Sequence, residues 1–141
     1  MRILGLDLGS KTLGISMSDL TATVATTYKT IRFENENYTS LLSEVKKIVD
    51  EHKIGEVVLG LPKNMNNSIG PRGEIALTFQ KQLMEYLNIP VSMQDERLST
   101  KEATNYMIQA DMSRKKRKEK IDSLAANIIL QSYLDKKKGM N

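Results

Sequence analysis

The sequence has no cysteine and no tryptophan, only three prolines, two phenylalanines and one histidine. The absence of cysteine excludes disulfides and thiolate metal sites. The scarcity of large aromatics leaves little surface for stacking flat ligands. No run of residues approaches the roughly 18 apolar positions of a membrane span. The first residues already read as a strand rather than a charged-then-apolar leader, so a soluble, cytoplasmic protein without a membrane partner is expected. No linker, internal repeat or low-complexity tract divides the chain, so residues 1–141 are expected to form one domain with a single sizeable core.

Charge is present but unevenly placed. Lys and Arg number 21 against 17 Asp and Glu, a net charge of +4. The stretch from Arg114 to Lys120 has six bases and one acid, and Lys136 to Lys138 adds three bases. These two stretches carry +8, which leaves −4 on the rest of the chain. The first reads as a basic loop, the second as a basic tail, and such clustering suits a polyanion. With two Phe, five Tyr and no Trp, the phosphate backbone is a better target than the bases.

The chain is organised around Ile3 to Ser18. Leu4, Leu6 and Leu8 alternate with Ile3, Gly5 and Asp7, a strand with two distinct faces. Gly9 to Thr12 is a turn, and a second strand follows with Leu13, Ile15 and Met17 opposite Gly14, Ser16 and Ser18. Val24 to Phe33 suits a third, antiparallel strand. A helix is expected from an N-cap at Asn37, with Leu41, Leu42, Val45, Ile48 and Val49 inward and Gly55 closing it. Glu56 to Leu61 reads as a central parallel strand. After an irregular stretch from Lys63 to Arg72 comes a helix burying Ile75, Phe79, Leu83 and Tyr86 or Leu87. Val91 to Glu96 is the last strand. Ser99 and Glu102 form a capping box for a helix to about Ala110. A final helix runs from about Ile121 to Tyr133, with Ile121, Leu124, Ala125, Ile128 and Ile129 inward. Three meandering strands followed by helix–strand alternation predict an α/β fold with a five-stranded mixed sheet and helices on both faces.

Three acidic positions stand out: Asp7 inside an apolar strand, the pair Asp95-Glu96 at a strand end, and Asp122 in the first turn of the last helix. An unpaired charge in an apolar strand is costly, so Asp7 requires a partner. Carboxylates that converge from distant segments repel one another, and a hard divalent cation is the natural compensation. Mg²⁺ or Mn²⁺ would polarise a phosphodiester for cleavage, which agrees with the basic stretches.

Five blocks together resemble the YqgF/RuvX family of RuvC-like nucleases. They are Gly5 to Ser16, Val58 to Pro62, Gly70 to Arg72, Asp95 to Thr100 and Ile121 to Ala126. The resemblance spans nearly the whole chain in order. It implies a ribonuclease H-like fold and an acidic catalytic and metal-binding site of Asp7, Glu96 and Asp122. It also implies hydrolysis of phosphodiester bonds in processing the 5′ end of pre-16S rRNA, with ribosomal precursor particles as partners. RuvC-type resolvases carry a further Asp three residues after the helix aspartate, where this chain has Ala125, which argues against junction resolution. The loop after Pro62 has Asn64, Asn66 and Asn67 where relatives often carry an acid, easing the approach of a phosphate backbone.

Lys11, Thr12, Arg72 and Arg97 are candidate phosphate contacts, as are Arg114, Lys115, Lys116, Arg117 and Lys118 of the basic stretch. Asp95 is assigned to holding Arg97 or a backbone donor. Two further nucleic-acid readings are a junction-resolving DNA endonuclease and a non-catalytic binder. Asp7 to Gly14 also resembles the first phosphate loop of actin-like ATPases and sugar kinases, whose second lobe has no room in 141 residues. RNA against DNA and the oligomeric state are not legible in these residues.

Overall fold

A computed structural model describes residues 1–34, 37–95 and 114–137, the stretch 114–123 by its backbone. Five strands, β1 (Arg2–Leu8), β2 (Thr12–Ser18), β3 (Ala25–Arg32), β4 (Ile54–Leu61) and β5 (Val91–Asp95), form one sheet in the order β3-β2-β1-β4-β5. The first three pair antiparallel, and β1–β4 and β4–β5 pair parallel. The described helices are α1 (Ser40–His52), α2 (Pro71–Leu87) and a C-terminal α3 (Arg114–Lys137). The expected mixed sheet is therefore the observed one. The helix expected from Ser99 to Ala110 lies outside the described residues.

Strand alternation builds two cores. Leu4, Leu6 and Leu8 of β1 join Leu13, Ile15, Val57, Leu59 and Val91 against the buried stripes of α1 and α2. Ile3 and Val58 point the other way, onto Ile129, Leu130 and Leu134 of α3. Each fully buried aliphatic side chain contributes about 1.5–3 kcal/mol. This is why a one-residue slip, which would invert every face, is excluded.

Helix α3 lies unusually close to the sheet because β1 and β2 offer it small residues. A Cβ at Gly5 would fall 2.5 Å from Ser16 Oγ and 2.7 Å from Leu130 Cβ. The Ser16 hydroxyl donates to the Ala126 carbonyl at 2.9 Å. At the other end of the helix Lys137 Nζ donates to Glu56 Oε1 at 2.8 Å, and Tyr133 OH donates to Glu56 Oε2. Glu56 pairs with Ile3 at the start of the parallel ladder. So α3 runs antiparallel to β1, its later turns over the amino-terminal edge and its earlier turns toward the carboxyl edge.

Several local expectations are corrected. The basic stretch from Arg114 to Lys120 is helix rather than loop, and α3 begins there instead of at Ile121. Lys, Arg and Glu are good helix formers, and no Gly or Pro interrupts them. Among its described side chains the inward residues of α3 are Ala125, Ala126, Ile129, Leu130 and Leu134, with Leu124 and Ile128 only half-buried, while the side chain of Ile121, also expected inward, lies outside the described residues. Asn37 does not cap α1. It accepts from Thr39 Oγ1 and Ser40 Oγ in the turn before it. The helix ends at Lys53, left-handed with φ 55°, whose N–H bonds to Val49 O, so Gly55 belongs to β4. In α2, Leu87 is buried and Tyr86 exposed, with Ala76 and Gly73 completing the stripe and Ile75 at its margin.

Candidate functional site

Asp7 lies one residue before the end of β1, on the face that α3 covers, because it shares that face with Ile3 and Gly5. Its antiparallel partner is Gly14. On the other side the last parallel pair is Leu6 with Leu59, and the register carried one step further sets Gly60 and its β5 partner Gln94 level with Asp7. Asp7 thus faces a glycine across β2, whose missing Cβ leaves that flank uncrowded, and the β4 residue one step past the last parallel pair is also a glycine. It is half-buried and engaged by a neighbour.

The helix register brings residue 122 to the same level. Two residues along β1 from Gly5 to Asp7 is a rise of about 6.6 Å. Four residues back along α3 from Ala126 to Asp122 is about 6 Å in the same direction. The helix turn that carries Asp122 therefore stands beside the carboxyl end of β1. Its side chain and the whole of Glu96 and Arg97 lie outside the described residues.

Asp95 falls on the opposite face from Asp7. Val91 belongs to the core under α1 and α2 and Met93 packs against it, and strand alternation adds Asp95 to that series. Ser92 and Gln94 face α3, since Ser92 Oγ donates to Glu56 Oε2 at 3.0 Å and Tyr133 OH to Ser92 Oγ at 3.3 Å. Gln94 is 8% exposed, a buried amide at the level of Asp7. It escaped the sequence reading, although a polar residue in the alternation Val91-Ser92-Met93-Gln94 was its available signal.

The candidate phosphate contacts separate. Lys11 is exposed at the tip of the β1–β2 turn, and Thr12 opens β2 beside it. Arg72, in the first turn of α2, is instead turned into the molecule. Its Nη2 donates to Leu8 O and its Nη1 to Tyr38 OH, both at 3.2 Å. Arg114 to Lys118 form the first turns of α3. His52, the one histidine, lies in the last turn of α1 with Tyr28 OH 3.2 Å from its Nε2.

Among the described residues no three Asp, Glu or His side chains converge on one metal-sized site. The part that is described nevertheless fits a hard cation: a half-buried carboxylate at a strand end, facing a glycine across β2, under a helix turn that carries a second aspartate. That edge of an α/β sheet is where ligands bind.

The family model of RuvX, described as Holliday junction resolvase, matches residues 1–136. The chain belongs to the RuvX family. A protein of Oceanobacillus iheyensis named "Putative pre-16S rRNA nuclease" is 47% identical over 137 residues, 97% of this chain and all of that one. A protein of the same name from Caldanaerobacter subterraneus is 50% identical over 139 residues, 98% and 99% of the two chains. Among solved structures, RuvC of T. thermophilus in complex with a Holliday junction substrate superposes with a TM-score of 0.61 at 14% identity, covering 99% of this chain and 97% of that one. At that identity the likeness speaks for the fold, and it makes RuvX and RuvC two sequence-divergent versions of one ribonuclease H-like architecture.

Proposed function

We propose that this RuvX chain is a divalent-metal-dependent nuclease that hydrolyses phosphodiester bonds at the 5′ end of precursor 16S rRNA. The observation that carries the reading is the position of Asp7, at the carboxyl edge of β1 beside Gly14, under the turn of α3 that bears Asp122. The names of the relatives supply the substrate. Asp7, Glu96 and Asp122 would hold Mg²⁺ or Mn²⁺. When bound, the ion supplies charge for the phosphoryl oxygens and an activated water. The chain itself does the rest. The Gly14 flank lets the scissile phosphate approach Asp7, while Lys11, Thr12 and the basic first turns of α3 attract the backbone on either side.

The test is cleavage of a labelled precursor leader, linear DNA and a four-way junction, with and without Mn²⁺, by wild type and Asp7→Asn. Metal-borne stabilisation of several kcal/mol, at 1.4 kcal/mol per tenfold, predicts that Asp7→Asn loses about 100-fold or more in rate with its melting temperature nearly unchanged. Cleavage by the variant at the wild-type rate ends the assignment. The family description favours the junction as an alternative substrate. Ala125 argues against it, since that position is 2% exposed and offers a methyl group where a resolvase has a carboxylate.

A further inference from the structure

β1 loses its parallel partner after Leu6, the last residue paired with β4, so the carbonyl of Leu8 lies beyond the ladder on that side. A backbone acceptor on a buried residue at a strand end needs a donor, and Arg72 supplies it from α2 at 3.2 Å. The same guanidinium donates to Tyr38 OH at 3.2 Å. The Tyr38 ring rests on Phe33 with centroids 5.6 Å apart. The Phe33 N–H in turn donates to Lys11 O at 3.0 Å, and the turn is closed by Gly9 N–H to Thr12 O at 2.8 Å. The circuit Leu8–Arg72–Tyr38–Phe33–Lys11 thus returns to the segment where it started, the turn that directly follows Asp7. Tyr38 borders a cavity of about 290 Å³ shared with Ile75, Thr78 and Phe79. On its other side the ring and hydroxyl of Tyr38 are held by the Phe33 contact and the Arg72 bond.

From this geometry we infer that Arg72 and Tyr38 are positioning residues, which clamp the Leu8–Thr12 turn and so hold the Asp7 carboxylate and the Lys11–Thr12 backbone in place. The inference rests on the nuclease reading for its consequence and on the circuit alone for its structure. It reassigns Arg72 from phosphate contact to internal brace. Its planar fork reaches two acceptors at once, which a single ammonium group matches poorly.

The experiment uses the full chain as wild type, Tyr38→Phe and Arg72→Lys. Tyr38→Phe keeps the ring on Phe33 and removes only the acceptor. Amide hydrogen exchange should accelerate about tenfold at Gly9 and Phe33 in both variants, while Leu4 and Leu6 in the strand centre stay protected and report an intact fold. Mn²⁺ affinity, read by electron paramagnetic resonance, should weaken several-fold, and kcat should fall with KM and the salt dependence of substrate binding unchanged. Unchanged exchange at Gly9 and Phe33 overturns the brace whatever the activity. A raised KM with a shallower salt slope in Arg72→Lys, beside a normal Tyr38→Phe, returns Arg72 to the phosphate contacts. A wild type that binds Mn²⁺ but cleaves nothing counts against the nuclease reading and leaves the exchange result to decide the brace.

Discussion

At the scale of single residues, the site is shaped by what is missing as much as by what is present. Gly14 opens one flank of Asp7, and Gly5 lets α3 settle onto the sheet. Gly5→Ala would drive a methyl group into Ser16 Oγ and Leu130. Overpacking of this kind costs about 1–3 kcal/mol, so the variant should unfold at lower denaturant concentration. It should also lose cleavage, because the α3 turn carrying Asp122 is lifted from β1. An Ala variant as stable as wild type would mean that helix and sheet are not in the contact described. The neighbours Asp95 and Glu96 offer a second comparison. Asp95 lies on the face of α1 and α2, opposite Asp7. Asp95→Asn is therefore expected to lower the melting temperature and keep part of the activity, and Glu96→Gln to abolish metal-dependent cleavage at little cost in stability. Paired melts and assays at fixed Mn²⁺ decide it, and the reverse pattern transfers the metal role to Asp95.

At the scale of elements, α3 joins both ends of the sheet. Its first turns are basic, and its last turn is anchored on Glu56. Because Arg114 to Lys118 are helical, Gln is the appropriate neutral replacement, preserving helix propensity where Ser would not. Changing Lys115, Lys116 and Lys118 to Gln should reduce the slope of log affinity against log salt by up to about 0.7 per lost contact on single strands. Turnover at saturating substrate should stay close to wild type. An unchanged slope would make these turns a solvated helix face. At the far end, burial is the largest influence on the Glu56 carboxyl and pushes its pKa up. Hydrogen bonds from Lys137, Tyr133 and Ser92, with the charge of Lys137, outweigh it and bring the pKa below the ordinary value. The lowered folded pKa means that this stabilisation is complete above the unfolded value near 4.3 and disappears as pH falls through the folded one. Lys137 is raised by its bond to Glu56, and Tyr133 by burial and then by Glu56. Their share is complete below about pH 10 and is lost as pH rises through the raised values. Glu56→Gln should cost about 1–2 kcal/mol at neutral pH, and the gap to wild type should narrow below about pH 4. A pH-independent gap would show that the carboxylate charge contributes nothing.

At the scale of the whole molecule, the sheet order gathers residues that are far apart in sequence. β1 lies between an antiparallel hairpin partner and a parallel strand delivered by the α1 crossover. Its carboxyl end is consequently the place where the β1–β2 turn, the start of α2 and the early turns of α3 meet. The basic tail and the basic start of α3 are separated by most of the length of that helix. Arg114 to Lys120 and the pair Lys136 and Lys137 are thus two ends of one element, and only the first stands toward the edge with Asp7.

The local pattern of residues was enough to determine the five strands, both faces of β1 and β2, the mixed sheet and the placement of Asp7 opposite Leu6 and Leu8. Those features depend on a two-residue alternation that each segment carries within itself. The five blocks from Gly5 to Ala126 likewise led to the RuvX family without any knowledge of contacts. The basic stretch was misread as loop because it has no apolar stripe. Its helicity comes from backbone propensity and from continuity with the packed half of α3. The left-handed cap at Lys53 was hidden because nothing in a lysine announces it. Tertiary structure alone decided that Gly14 faces Asp7 and Gln94 faces Gly60, that residue 122 stands level with Asp7, and that Arg72 points inward to Leu8 and Tyr38. The physical reason is the same in each case. Register between strands joined by a helical crossover, and the height of a helix on a sheet, are set by side-chain volumes meeting across the core. No segment read by itself contains those volumes.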